Sequence, residues 1–124
     1  MAPNAATLER SFCQADFDRF ARLSGDDNPI HTDPQFSSQT RFGRTVAHGL
    51  LLCSVLRGLI EKSAPGSVLL EQSVMFPAPS FSDEPLLFSV LPMPGEGTGT
   101  QLSLEVRRVH DGEVTCQGHC RVGT

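Results

Sequence analysis

The sequence predicts an α+β fold, an antiparallel sheet curled around one long apolar helix. Three observations predict it. Residues 48–62 place Leu50, Leu51, Leu52, Val55, Leu56, Leu59 and Ile60 around most of a helical circumference, and a helix apolar nearly all round is a central one. The half of the chain after Pro65-Gly66 reads as strands, with Leu102, Leu104 and Val106 alternating with polar partners. His110-Asp111-Gly112-Glu113 carries the Asp-Gly dipeptide of a tight hairpin turn. The 124 residues fit a single domain, 1–124. A chain of this length buries about two-thirds of its unfolded surface, enough for a core without covalent staples.

The elements follow in order. Residues 6–13 form a first strand. Residues 14–23 form a short amphipathic helix with Phe17, Phe20 and Leu23 spaced by three, Ala21 four after Phe17, and Asp16, Asp18, Arg19 and Arg22 on the wet side. Ser24-Gly25 stops it, since glycine is favoured just past a helix end. A turn-rich stretch follows, in which Pro29 and Pro34 keep Asn28 and Asp33 out of helical geometry. Asp33-Pro34 then starts a short helix over 34–39, with an acid at the cap and proline at the first position. The helix over 48–62 is about 22 Å long and ends at Pro65-Gly66. Residues 67–76 are a strand carrying Val68, Leu70 and Val74, broken by Pro77 and Pro79. Residues 85–91 are a short apolar strand, 92–99 a loop that is Gly-rich over 95–99, and 114–122 the return strand of the hairpin. The later strands, about four of them, read as a meander packed on the helix.

Composition limits the function. Ten Lys plus Arg stand against fourteen Asp plus Glu, a net charge of −4, so nucleic acid is not an expected partner, since phosphate neutralisation needs a basic face. No apolar run reaches the roughly eighteen residues of a membrane span, and no membrane association is expected. The first twelve residues lack the basic start and apolar stretch of a secretory signal. Cys13, Cys53, Cys116 and Cys120 are read as free thiols in a reducing, cytoplasmic compartment, because the core needs no disulfides.

The chemistry concentrates in Gly25-Asp26-Asp27-Asn28-Pro29-Ile30-His31. An imidazole stands five residues after a carboxylate, and the proline between them stiffens the backbone. Such a bend can aim both side chains at one water, and a carboxylate with an imidazole suits acid–base chemistry at neutral pH. The alternative is a turn in which Asp26 and Asn28 cap backbone N–H groups and His31 is incidental. The second feature is Ala47-His48-Gly49-Leu50 at the start of the long helix. Without a side chain, Gly49 lets a ligand approach its N–H closely, at a helix end that carries unpaired N–H groups and partial positive charge. The alternative is that Gly49 allows tight packing against the sheet.

Together these residues resemble a family. Ser24-Gly25-Asp26-Asp27-Asn28-Pro29-Ile30-His31-Thr32-Asp33-Pro34 looks like the signature of the MaoC-like, (R)-specific enoyl-CoA hydratases (hydratase 2). Ala47-His48-Gly49-Leu50-Leu51 looks like the second block of that family, and Phe76-Pro77-Ala78-Pro79 is similar to its following strand. The resemblance implies a hot-dog fold and a dimer with the active site near the subunit interface. It implies reversible hydration of a trans-2-enoyl thioester, of CoA or acyl-carrier protein, to the (R)-3-hydroxyacyl thioester. Asp26 and His31 are then the catalytic pair, and the Gly49 N–H receives the thioester carbonyl. Neither metal nor cofactor is needed. Asn28 fixes the bend, Asp27 falls at the motif's variable position, and His48 orients its neighbours. Ser54 either reaches the water or the pair, or is a small helix-packing residue. A thioesterase and a non-catalytic acyl-CoA-binding subunit are the alternatives on the same fold.

The sequence departs from the pattern at Arg44-Thr45-Val46, where a proline is expected, at Ser82-Asp83, where relatives often have Gly-Asp, and at Arg57, where many carry a small residue. The Arg57 stem is expected to pack and its head to reach water. Cys116-Gln117-Gly118-His119-Cys120 invites a metal reading, but on a strand His119 faces away from both cysteines. Arg107-Arg108 reads as a solvated pair or as contacts for CoA phosphates.

Overall fold

The computed structural model describes residues 3–94 and 99–124, so the Gly-rich loop expected over 95–99 lies, except for Gly99, outside the described residues. Five strands form one antiparallel sheet: β1 (Ala6–Arg10), β2 (Val68–Met75), β3 (Leu86–Met93), β4 (Thr100–Arg108) and β5 (Val114–Gly123). Four helices accompany it: α1 (Gln14–Ser24), α2 (Pro29–Thr32), α3 (Pro34–Ser37) and α4 (Gly49–Ser63). The α+β class and the central helix agree with the sequence reading.

The sheet order is β1-β3-β4-β5-β2. Only β3, β4 and β5 make the expected meander. β2 instead pairs with β5 at the far edge, so residues 76–85 must carry the chain back across to β3. On the way they pass the start of α4, where Val46 bridges Phe81 and the Ala47 N–H donates to the Ser80 carbonyl at 2.8 Å. This crossing builds one wall of the site described below.

The core lies between α4 and the inner face of the sheet. Leu52, Leu56 and Ile60 of α4 meet Phe88 of β3, Leu104 of β4 and Cys120 of β5, all buried. The alternation read in 102–106 holds, and β3 alternates as well, with Leu86, Phe88 and Val90 fully buried. All four cysteines are free thiols. No helix among the described residues is long and apolar enough to cross a membrane.

Four expectations change. The first strand stops at Arg10, because Phe12 turns into the core at 1% exposure and Cys13 caps α1, its N–H donating to Asp16 Oδ2 at 2.9 Å. Leu23 leaves the buried face of α1 and is 83% exposed. A row spaced by three drifts about 60° per step, so two steps carry Leu23 away from buried Phe17, whereas Ala21 stays inside. Val68 and Leu70 are exposed, since β2 is an edge strand with a register break between Leu69 and Glu71. Helix α4 is not apolar-packed all round: Leu50 is 70% exposed and Ser54 and Gly58 face outward.

One glycine is a constraint of the sheet itself. A Cβ at Gly118 of β5 would lie 1.9 Å from the Ser73 carbonyl oxygen on β2, a backbone atom that cannot swing aside. Gly118→Ala is expected to lower stability by about 1–3 kcal/mol or more, as overpacking does, read as a lower urea midpoint; an unchanged midpoint would contradict the close strand approach.

Candidate active site

The bend is built by local rules. Gly25 ends α1 with φ 83, and its N–H donates to the Ala21 carbonyl. Asn28 Oδ1 accepts the Ile30 N–H at 3.1 Å and caps α2, which starts on Pro29 because proline at a first helical position gives up no needed N–H. This single turn, not foreseen from the sequence, sets His31. Asp33 then caps α3 through the Gln35 and Phe36 N–H groups.

Two contacts from elsewhere in the chain fix the bend in space. The Gln14 side-chain amide donates to the His31 carbonyl at 2.8 Å, and its oxygen accepts the Thr45 hydroxyl at 2.7 Å. The Val46 N–H donates to the Ile30 carbonyl at 3.1 Å. The sequence assigns neither residue this role: Val46 stands out only as part of a departure from the family pattern. The only local signal was that Gln14 opens a helix beside the motif, and its partners lie 17 and 31 residues away.

His31 Nδ1 lies 2.8 Å from the Val46 carbonyl oxygen. A carbonyl can only accept, so Nδ1 carries the proton and Nε2 presents its lone pair. That lone pair lies 3.8 Å from Asp26 Oδ2, with side-chain exposures of 15% for His31 and 57% for Asp26. The separation exceeds a hydrogen bond. It leaves two acceptors facing one gap, which a water can satisfy by donating one proton to each.

His48 is 2% exposed. Its ring stacks on His31 at 3.8 Å between centroids and 22° between planes, and Phe20 meets its edge at 4.9 Å. His48 Nε2 lies 2.9 Å from the Asp26 backbone carbonyl, to which it donates. Its Nδ1 is buried without a partner among the described residues. Burial pushes the His48 imidazole below its ordinary range; the His31 ring adds to this, and the bond to the Asp26 carbonyl opposes it.

Gly49 opens α4 and lines a cavity of about 470 Å³ with Phe20, Asp26, His48, Leu52 and Phe76. A Cβ at position 49 would sit 2.7 Å from Phe76 Cζ. The space left by the missing side chain is therefore filled by Phe76, just past β2, rather than by the sheet. Gly49 and Leu50, which carry the first two N–H groups of α4 and so have no intrahelical partner for them, both line the cavity.

Asp26, His31 and His48 offer ligand atoms within 4.8 Å of one another. Their fit to a metal ion is poor, because the two rings are stacked. An ion in the plane of one imidazole sits well out of the plane of the other, away from its lone pair.

Other candidates are not brought to the bend. Ser54 is five residues past Gly49, about 140° round the helix. Its hydroxyl donates to the Leu51 carbonyl at 2.7 Å, in a separate groove. Asp27 is exposed. Arg57 is half-buried, and its Nη1 is buried without a partner among the described residues. Arg107 pairs with Glu105 and the Gly112 carbonyl, while Arg108 pairs with Asp111 and the Pro79 carbonyl. Arg44, the first departure from the family pattern, holds Glu84 at 2.7 Å and the Ser82 carbonyl. At Ser82-Asp83 the departing residue is Ser82; Asp83, which keeps the acid of the pattern, has φ 64, a backbone that glycine adopts most easily. Cys116 and Cys120 are buried while His119 is exposed, as strand alternation requires.

A profile of the family described as "MaoC like domain" matches residues 2–112. Over 78 residues the chain is 44% identical to the (R)-specific enoyl-CoA hydratase of Aeromonas caviae, covering 61% of this chain and 58% of that protein. It is 34% identical over 74 residues to the 3-hydroxybutyryl-CoA dehydratase of Methylorubrum extorquens, covering 58% and 47%. The chain thus spans about half the length of these curated relatives. Among solved structures, an (R)-hydratase from A. caviae involved in PHA biosynthesis superposes with a TM-score of 0.90 at 31% identity, covering 99% of this chain and 96% of that one. The fold is the hot-dog fold.

His48 gives the site a pH signature. Its folded-state affinity for a proton is depressed, so below the ordinary imidazole range the unfolded chain binds the extra proton and stability falls. Between about pH 7.5 and 5 the wild type is expected to lose unfolding free energy relative to His48→Gln. Parallel curves in denaturant titrations would contradict a buried, neutral His48.

Proposed function

The chain belongs to the MaoC-like domain family, and from that premise we propose that it is an (R)-specific enoyl-CoA hydratase, a hydro-lyase acting on 2-enoyl thioesters. The observation that carries the reading is the approach of His31 Nε2 and Asp26 Oδ2 to 3.8 Å, a spacing that one water lying beside the two atoms bridges. A water donating to both keeps its lone pairs, one of which is free to attack carbon 3 of the substrate. Conjugation with the carbonyl makes that carbon electrophilic, and attack builds negative charge on the thioester oxygen. The Gly49 N–H at the α4 terminus receives that charge, as a preorganised donor does for a developing oxyanion. The pair takes the water's proton and returns one to carbon 2, so the thioester remains intact. Asn28 and His48 hold the pair's geometry.

The thioester is carried by CoA or acyl-carrier protein. The reading takes 1–124 as one domain and its setting as cytoplasmic, which four free thiols support. It also makes the chain a homodimer, supported by the outer edge of β2, where Val68 and Leu70 are 52% and 48% exposed on an edge strand whose outer side has no partner strand among the described residues.

Three measurements test this. Purified protein with crotonyl-CoA should remove the conjugated absorbance without releasing free thiol; release of thiol would instead indicate a thioesterase. Asp26→Asn and His31→Ala should each cut hydration by about 10²–10⁴ with unchanged circular dichroism, and near-native rates in either variant would overturn the assignment. In light scattering, the protein should have twice the chain mass; a monomer would remove the dimer from the reading.

A further inference from the structure

We propose that Phe20 is the specificity-determining wall of this site, its ring separating the catalytic cavity from a second apolar groove and so limiting the acyl chain the cavity accepts. The inference rests on the hydratase reading above and adds the residue that sets substrate size.

Phe20 lies three residues after fully buried Phe17 on α1, which rotates it about 60° from the core-facing line. The ring therefore stands at the edge of the core. On one side it lines the cavity of about 470 Å³ that holds Asp26, His48 and Gly49. On the other it lines a groove of about 500 Å³ with Phe12, Leu23 and Leu51, rimmed by Arg10 and Arg19. Among the described residues Phe20 is the one that lines both. The groove also contains Leu23, 83% exposed, so its apolar surface is already open to a chain that could enter it.

The ring is held in place. It meets the edge of His48 at 4.9 Å, and the helix turn behind it is closed by the Ser24 hydroxyl donating to the Phe20 carbonyl at 2.7 Å. The wall is thus tied to the same ring that stacks on His31. Cutting the side chain back to a methyl group joins cavity and groove without removing a polar group. Each methylene lodged in an apolar pocket is worth roughly 10–200-fold in discrimination, so even partial entry of a longer chain is measurable.

The test compares kcat/KM for crotonyl-CoA and trans-2-octenoyl-CoA in wild type, Phe20→Leu and Phe20→Ala. The octenoyl-to-crotonyl ratio should rise at least 10-fold in Phe20→Ala and by a smaller factor in Phe20→Leu. Any general loss from the missing contact with His48 cancels in the ratio. A ratio within twofold of wild type in both variants, or the same proportional change on both substrates, would overturn the proposal. Equilibrium binding of butyryl-CoA and octanoyl-CoA reads the wall without turnover. A wild type that binds both yet hydrates neither enoyl thioester refutes the hydratase reading alone, while the Phe20 variants still decide the wall by their shift in the binding ratio. If Phe20→Ala does not fold, the Phe20→Leu ratio decides.

Discussion

The site depends on one hydrogen bond, from His31 Nδ1 to the Val46 carbonyl. It decides where the imidazole proton sits. Were that carbonyl turned away, either tautomer would be open and Nε2 would be as ready to donate as to accept. With it in place, the nitrogen facing Asp26 is an acceptor, and the gap becomes a place for a donor. Second-sphere partners commonly set imidazole chemistry this way.

Much of the fold holds that carbonyl in position. Val46 is 8% exposed and bridges Phe81 in the segment that crosses from β2 to β3. Thr45, 2% exposed, ties through Gln14 to the His31 backbone. Three separate stretches therefore meet at the bend: the opening of α1, the approach to α4 and the crossing. The stack of His48 on His31 adds a flat support on a third side. The sheet order matters here, because a plain meander would have taken residues 76–85 elsewhere.

The bend was legible in the sequence because its information is local. An acid, a capping Asn, a proline and an imidazole lie within six residues, and each obeys a short-range rule. The central helix and the alternation of β4 were legible for the same reason. The roles of Gln14 and Val46 were not, since their partners are set by tertiary packing across 15 to 31 residues. The position of β2 was equally hidden: its apolar residues suit either an inner strand or an exposed edge, and only the crossing distinguishes them. Leu23 misled through helical phase, a drift of about 60° per step that carries a residue from one face to another; Ser54, left open between two roles, stands about 140° round the helix from Gly49. Gly49 was open between ligand approach and packing; the Phe76 ring occupying its vacant side-chain space favours packing without excluding its N–H from the cavity.

The two members of the pair differ in freedom. His31 is clamped by a bond at its far nitrogen and by a stacked ring. Among the described residues the Asp26 carboxylate accepts one hydrogen bond, from the Asn28 N–H at 3.5 Å, while His48 binds the backbone of Asp26 and not its side chain. Rotational entropy at the centre therefore resides in one short side chain with two torsions. Arrival of a reactant needs to freeze only that rotor, so the ordering penalty on reaching the reactive arrangement is confined to a single acid and stays small.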